Sequence, residues 1–389
     1  MRIRRLAILP CALIAVALSS SLPVAAGPPG TWTKITTGKV SIINEPGLYR
    51  TSDGVLHVVY EREVGTVSSI GHTAIAPTGA VKLKNLAVTG WQSIVHDPKA
   101  IGMPAGGVRL VFGGVQSINP GYWTDGRTYT ATGTKAGTGW VVPMEAIGLS
   151  HNGAASYGTG AVTLADGTPI AGFPLNNVYT WHVGTSEVDP DQTIDFGSGT
   201  SLYWSTLVRD GSKVYVAFYA LGPTAAKNGI FVAQIYPTIG PVKKVPGSSV
   251  GKNTLQPGQA VAMAVRSGGG TWVAFCVGYP TCKHIGLWKV GTTKVHTVPG
   301  SANAQSVAMS AAPGGRLWVA WATNSFPSRV HVVRSGPNGY SFGKPKSIAP
   351  PGKALAIGIY HVAIEGSRAG KADLVINTGA GLFATQVKP

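Results

Sequence analysis

The segment that follows Val108–Phe112 holds the richest mixture of side chains for recognising a sugar or a peptide. Its aromatic, amide and charged residues are Gln116, Asn119, Tyr122, Trp123, Asp125 and Arg127. Aromatic rings can stack on a ligand while neighbouring polar groups form hydrogen bonds with it. The same two rings can instead pack the loop on itself, so both interpretations stay open. Shorter loops elsewhere in the chain add four further candidates: Arg62, Lys283, His284 and Arg329.

An acidic segment is the candidate metal site. Four carboxylates lie within nine residues, and they are Glu187, Asp189, Asp191 and Asp195. Hard oxygen ligands at this density suit Ca²⁺. The later ligands of a calcium loop do not follow in the sequence, which favours a solvated acidic loop and leaves calcium as the alternative. No other cofactor is indicated.

Cys276 and Cys282 lie on either side of a short predicted turn and are predicted to form a disulfide. Zinc is the rival interpretation, because His284 is close by. Structural zinc usually has four ligands at recognisable spacing, and only three candidates lie near one another here. The disulfide is therefore favoured.

The first 26 residues predict export from the cytoplasm. Arg2, Arg4 and Arg5 precede an apolar run from Leu6 to Leu18, and Val24-Ala25-Ala26 supplies the small residues of a cleavage site. The apolar run is shorter than the roughly 18 residues of a membrane-spanning helix. We therefore expect residues 1–26 to be a signal peptide and the mature chain to be extracellular or periplasmic, with no transmembrane segment.

One phrase recurs along the mature chain: a glycine-containing turn followed by an alternating strand of branched and aromatic residues. It occurs seven times, at 53–60, 106–112, 166–173, 210–218, 269–275, 314–321 and 370–376. The copy that begins at Asp166 is the weakest. In the two clearest units the phrase is the second of four predicted short strands, which is typical of a β-propeller blade.

These repeats predict an all-β fold, with residues 27–389 forming a single seven-bladed β-propeller. Six blades is the alternative, because the third copy is weak. A β-sandwich also has short strands and tight turns, but it would not repeat one phrase seven times. The last unit ends after about three strands, and Thr31–Ile35 stands before the first unit. We expect this N-terminal strand to complete the last blade and to leave no unpaired edge.

The segment from Glu45 to Tyr60 resembles the opening blade of sialidase-like propellers of bacterial exported proteins. That superfamily carries an Asp box, Ser-x-Asp-x-Gly-x-Thr-Trp, between the third and fourth strands of a blade. Residues Ser335 to Phe342 keep its serine, glycine and aromatic end, but Pro337 stands at the place of the aspartate. The resemblance implies the propeller fold and a sialidase-type activity. Such an activity requires the family's catalytic residues.

The catalytic residues that the resemblance implies are three arginines, a Tyr–Glu pair and an aspartate. Arg50 lies near the place of the family's first arginine, but Thr51-Ser52 stands where the family has Ile-Pro. From Phe196 onward the only carboxylates are Asp210, Glu365 and Asp373. Asp210 and Asp373 belong to the recurring phrase and are interpreted as structural. A glycosidase mechanism that needs two carboxylates has little to use in this half of the chain.

The charge is distributed unevenly. Gly27–Asp195 holds ten Lys/Arg and twelve Asp/Glu, whereas Phe196–Pro389 holds nineteen and three. Because consecutive blades are neighbours in a propeller, this predicts one strongly basic side of the ring, which attracts polyanions. A high net charge that only keeps the protein soluble is the alternative.

The sequence therefore favours a secreted, non-catalytic binding module for carbohydrate or polyanionic cell-envelope polymers. A sialidase-like exo-glycosidase is the alternative function. No motif for specific nucleic-acid binding is present, and we expect a monomer.

Overall fold

The computed structural model describes residues 30–41, 45–64, 67–94, 98–115, 127–142, 158–186, 188–248, 261–278, 282–323, 328–351 and 359–389. The predicted signal peptide lies outside these ranges. The described part of the chain contains no helix with the length and apolar character that a bilayer crossing needs.

The strands form seven antiparallel sheets, each of which is one blade. Strand β1 is Thr33–Lys34. Blade 1 contains β2 Gly47–Arg50, β3 Leu56–Val64, β4 Val67–Ile75 and β5 Val81–Trp91. Blade 2 contains β6 Ser93–Ile94, β7 Lys99–Gly102, β8 Val108–Val115 and β9 Arg127–Gly133. Blade 3 contains β10 Gly160–Thr163, β11 Pro169–Leu175, β12 Val178–Val183 and β13 Gln192–Asp195.

The remaining blades repeat the same plan. Blade 4 contains β14 Ser201–Asp210, β15 Lys213–Leu221, β16 Gly229–Tyr236 and β17 Lys243–Lys244, with a 3₁₀ turn at Ala225–Lys227. Blade 5 contains β18 Ala262–Arg266, β19 Gly270–Val277, β20 His284–Lys289 and β21 Val295–Thr297. Blade 6 contains β22 Ala304–Ala312, β23 Arg316–Thr323, β24 Val330–Arg334 and β25 Lys346–Ile348. Blade 7 contains β26 His361–Glu365, β27 Ala372–Asn377 and β28 Leu382–Val387, and β1 completes it.

The blades close into a ring, so the seven-bladed β-propeller prediction is confirmed. The first strands of consecutive blades contact one another all the way round, including β26 with β2. β1 pairs antiparallel with β28, Thr33 opposite Ala384 and Lys34 opposite Phe383. The N-terminal strand therefore closes the last blade as expected.

The third blade is complete, although its sequence signal is weak. Pro169 begins β11 and Pro174 lies within it, so the strand departs from the alternating pattern of its counterparts. Blade 2 is the irregular one. Both β6 and β7 pair with β8, and the strand after β9 is reduced to a bridge between Thr132 and Val141.

The recurring phrase marks the second strand of every blade. These strands lie between two neighbours of their own sheet, and their side chains pack against the adjacent blades on both faces. Phe112, Phe218, Phe275 and Trp321 on four of them are fully buried. The turn before such a strand needs a left-handed residue, as at Gly54 with φ 83°, and glycine adopts this conformation without a Cβ clash.

The alternation of strand directions gives the ring two distinct faces. The loop face carries the connections from second to third strands and the connections between blades. The turn face carries the tight turns from first to second and from third to fourth strands.

Candidate functional site

The first strands of the blades surround a narrow central channel. A cavity of about 140 Å³ lies within it, and its walls are mostly apolar side chains of β2, β18, β22 and β26, such as Met263, Met309 and Val362. Two charged residues, Glu45 and Lys99, line the cavity from the loop-face side, just before β2 and at the start of β7. The channel thus presents one carboxylate among its described lining residues.

Glu45 and Lys99 form an ion pair at this mouth. Glu45 Oε2 accepts from Lys99 Nζ at 2.6 Å. Burial opposes ionisation of the carboxyl group, but the charges of Lys99 and His361 outweigh it and hold the pKa of Glu45 below its ordinary value. Glu45 is therefore an ionised partner of a cation and not a proton donor near neutral pH.

His361 and Trp204 extend the mouth on the other side of the channel. His361 begins β26 and is buried, and its ring centre lies 5.9 Å from that of Trp204. Trp204 lies at a register shift between Tyr203 and Thr206 of β14 and has a φ of 52°. An L residue with a side chain this large rarely adopts a positive φ, and such residues often mark functional or strained positions.

Arg50 is committed to the joint between blades 7 and 1. Its Nε donates to Glu365 Oε2, and its Nη2 donates to Asp373 Oδ2 at 2.5 Å. The three side chains are only 4–13% exposed. Arg50 lies at the turn-face end of β2, away from the channel mouth. The resemblance implies that Arg50 binds a substrate carboxylate. In the structure it instead forms ion pairs that join blade 7 to blade 1.

Residues 196–389 are the basic half of the chain, and their third carboxylate side chain also lies at a contact between blades. Asp210, at the end of β14, accepts from the Thr271 hydroxyl of blade 5 at 3.1 Å. The interpretation of Asp210 and Asp373 as structural agrees with these contacts, and Glu365 joins them. All three carboxylate side chains of this half therefore lie at contacts between blades.

Five of the predicted ligand-binding residues lie in described ranges: Arg62, Arg127, Lys283, His284 and Arg329. Tyr122, Trp123 and Asp125 lie outside the described residues. Arg62 lies near the loop-face end of β3, and Arg127 begins β9. Arg329 is exposed in blade 6, where its Nε donates to Ser347 Oγ at 2.6 Å. Arg62, Arg127 and Arg329 belong to three different blades, so the grouping of the predicted residues into one site stays a prediction.

Cys276 and Cys282 form a disulfide, as predicted. The bond joins the end of β19 to the residue just before Lys283, and the two Cα atoms are 5.2 Å apart. Both cysteines are buried against blade 6. The bridge fixes the loop that carries Lys283, which is exposed, and His284, which is half-buried.

The acidic segment makes contacts within blade 3. Asp191 Oδ1 lies 2.9 Å from Nδ1 of the buried His182, and Asp195 Oδ1 accepts from Asn177 Nδ2 at 2.6 Å. Asp189 is exposed, and Glu187 lies outside the described residues. Within the ranges described, no three or more His, Cys, Asp or Glu side chains are grouped as metal ligands are. The calcium site stays a prediction.

A basic pocket between blades 6 and 7 was not foreseen from the sequence. It has a volume of about 370 Å³ and opens on the turn face, opposite the predicted loops. Its basic residues come from β23, from β24, from the stretch at the start of β25 and from the chain after β28. They are Arg316, Arg334, Lys344, Lys346 and Lys388. We call this the blade 6–7 pocket.

The degenerate Asp box forms one wall of the blade 6–7 pocket. Ser335 and Phe342 are bridged, and Asn338 Oδ1 accepts from the Ser341 hydroxyl at 2.9 Å. Asn338 therefore fixes this turn through its own side chain, although Pro337 stands at the place of the motif's aspartate. Tyr340 projects from the turn, is 45% exposed and stacks on His296 with ring centres 4.3 Å apart.

Comparison with known proteins identifies the fold. No protein-family model matches the sequence, and none of the curated proteins gives a significant match. Among solved structures, a polysaccharide lyase described as PL25 ulvan lyase is 11% identical with a TM-score of 0.56. That comparison covers 94% of this chain and 96% of the lyase. A protein of unknown function from Dyadobacter fermentans DSM 18053 is 8% identical with a TM-score of 0.50, covering 92% and 99% of the two chains.

A sialidase is also among the structural neighbours. The Hadza microbial sialidase Hz136 is 10% identical with a TM-score of 0.48, over 89% of this chain and 65% of that one. The chain therefore spans less than two thirds of that sialidase. At these identities the comparisons establish the propeller fold.

Proposed function

We propose that the protein is a non-catalytic binding module of the cell exterior that recognises acidic polysaccharides through the basic half of its ring. The observation that carries the proposal is the placement of charge in blades 4 to 7. All three carboxylates after residue 196 lie in joints between blades, where they meet Arg50 and Thr271. This half of the chain holds nineteen lysines and arginines, so three carboxylate side chains can balance only a few of these positive charges.

The positive charge of these blades therefore lies at the surface. Nine exposed lysines and arginines occupy described positions in this half of the chain: Arg209, Lys213, Lys243, Lys283, Lys294, Arg329, Lys344, Lys346 and Lys388. Charges of one sign that face solvent together produce a field that concentrates anionic ligands. Tyr340 adds an exposed aromatic ring of the kind that stacks on sugars.

The structural neighbours support a polysaccharide ligand. The PL25 ulvan lyase has been solved bound to -[GlcA(1-4)Rha3S]-, with a TM-score of 0.55 to this chain at 11% identity. A ring of this fold can thus present a saccharide-binding surface. The commitment of Arg50 to the ring closure supports binding without sialidase-type hydrolysis, since the family's first arginine would have to grip the substrate.

The test is retention of the purified mature protein on heparin and on polygalacturonate, with dextran as the uncharged control. We expect retention on both acidic polymers that weakens steeply as salt is raised, because exposed charges are screened beyond about 8 Å at physiological ionic strength. Equal behaviour on dextran would contradict the proposal. Turnover of a fluorogenic sialoside would instead support the exo-glycosidase alternative.

A further inference from the structure

The blade 6–7 pocket concentrates cations without a carboxylate side chain among them. Among its lining residues Arg316 and Arg334 are half-buried, and Lys344, Lys346 and Lys388 at its rim are exposed. Its volume of about 370 Å³ falls in the range of roughly 300–1,000 Å³ that is usual for small-ligand sites. A cavity of this size can enclose a sugar unit and is not only a patch of surface charge.

Neighbouring groups hold the two arginines in place. The guanidinium carbon of Arg334 lies 5.5 Å from the ring centre of the buried Trp318, a cation–π distance. Arg316 Nη1 donates to the carbonyl oxygen of Ser335 at 3.1 Å. Each guanidinium has five N–H donors, so donors beyond these contacts remain to meet a ligand.

The charge of Arg316 also acts on Arg334. Partial burial, together with the charge of Arg316, lowers the pKa of Arg334. Lys346 differs from the other cations, because its Nζ donates to the main-chain oxygen of Lys388 at 2.8 Å and to that of Pro389, a terminal carboxylate oxygen in this sequence, at 2.6 Å. Arg316, Arg334, Lys344 and Lys388 therefore form a set of like charges that an anion would stabilise.

We propose that the blade 6–7 pocket binds the sulfate or carboxylate group of an acidic sugar unit, with the Arg316–Arg334 pair as its floor. This inference rests on the proposed function and names its site. Guanidinium groups suit such ligands because their planar fork matches two oxygens of an oxyanion at once. Lys344 and Lys388 at the rim supply mobile charges that attract the neighbouring anionic groups of the same polymer.

The experiment measures heparin-tetrasaccharide binding by calorimetry for the wild type and two pairs of variants. The pocket pair is Lys344→Gln with Lys388→Gln, and the matched control pair is Lys243→Gln with Lys294→Gln. All four lysines are exposed, and each pair removes the same charge from the basic half. We expect the pocket pair to weaken binding about tenfold and the control pair less than about threefold, because charge-assisted hydrogen bonds are lost only in the first.

A second variant tests the floor of the pocket. Arg334→Lys keeps the charge but removes the planar fork, so we expect weaker tetrasaccharide binding with an unchanged melting temperature. If the wild type binds and both lysine pairs weaken binding equally, the pocket assignment is overturned while the proposed function stands. If the wild type itself does not bind, the proposed function fails together with the pocket.

Discussion

His57 in β3 and His72 in β4, both in blade 1, form a buried, hydrogen-bonded pair. Protonation of this pair opposes folding. His57 Nδ1 lies 2.9 Å from His72 Nε2, and His72 Nδ1 lies 2.7 Å from Asn85 Oδ1. Asn85 donates through Nδ2 to the carbonyl of Gly137 at 2.9 Å, which orients its oxygen toward His72. His72 must therefore donate from Nδ1 and accept at Nε2, and His57 donates to it. Both rings are neutral in this arrangement.

The size of the pH effect follows from the pKa of His57. Burial, and then the charge of His72, lowers this pKa from 6.5 to about 4. Burial also lowers the pKa of His72. The unfolded chain binds a proton at His57 below about pH 6.5 and the folded protein does so only near pH 4, so acid favours unfolding in this interval. For His57 alone the loss is about 3 kcal/mol between pH 6.5 and 4.

The assay is urea denaturation at several pH values from 7.5 to 4, on the wild type and on His57→Asn. The asparagine amide retains a donor near the place of Nδ1 but does not titrate. We expect the wild type to lose about 3 kcal/mol more stability than the variant over this range. His284→Asn, which changes a half-buried ring near the disulfide, is the matched control for the loss of a histidine side chain. The same pH dependence in the wild type and in His57→Asn would refute the reasoning.

Three further predictions concern single joints and turns. Gly137→Ala places a Cβ in steric overlap with His72 Cε1, whereas Gly291→Ala has a similarly positive φ but meets nothing within 4 Å. Both substitutions strain the backbone, and the first should lower the melting temperature by many degrees more than the second. Arg50→Met removes the cation from two buried carboxylates and should lower the free energy of unfolding by about 3–5 kcal/mol, measured by denaturation. Adding Glu365→Gln and Asp373→Asn should restore part of this stability, and no restoration would contradict the role of the Arg50 ion pairs in closing the ring. Replacing Cys276 and Cys282 with alanine should cost about 2 kcal/mol, because the closed loop is short, and a loss above about 4 kcal/mol would contradict this account.

The fold was predictable because its signal is local. The recurring phrase needs only a glycine turn and an alternating strand, and seven copies of it define seven second strands. The closing strand was predictable for a related reason, since an incomplete last unit implies a missing partner. The weak third copy left the blade count open, because Pro169 and Pro174 in β11 obscure the alternation that the backbone pairing still satisfies.

The sites were less predictable because they depend on contacts between distant residues. Arg50 meets Glu365, which is 315 positions away in the sequence, so proximity to a family motif suggested a ligand-binding role for a residue that closes the ring. The uneven charge along the sequence predicts a basic side of the ring, but it cannot say on which face a pocket lies. Lys99 is paired with Glu45 at the channel, a contact that the sequence alone did not indicate.

The arrangement of charge argues for a ligand over a solubility device. Solubility requires only a net charge, which lysines scattered over the rim of the ring would supply at little cost. In the blade 6–7 pocket Arg316 and Arg334 instead lie together and partly buried, and burial and the charge of Arg316 lower the pKa of Arg334. The two carboxylates nearest along the chain, Glu365 and Asp373, are held at the opposite side of blade 7 by Arg50. Like charges kept together in this way are stabilised by an anion that enters from solvent.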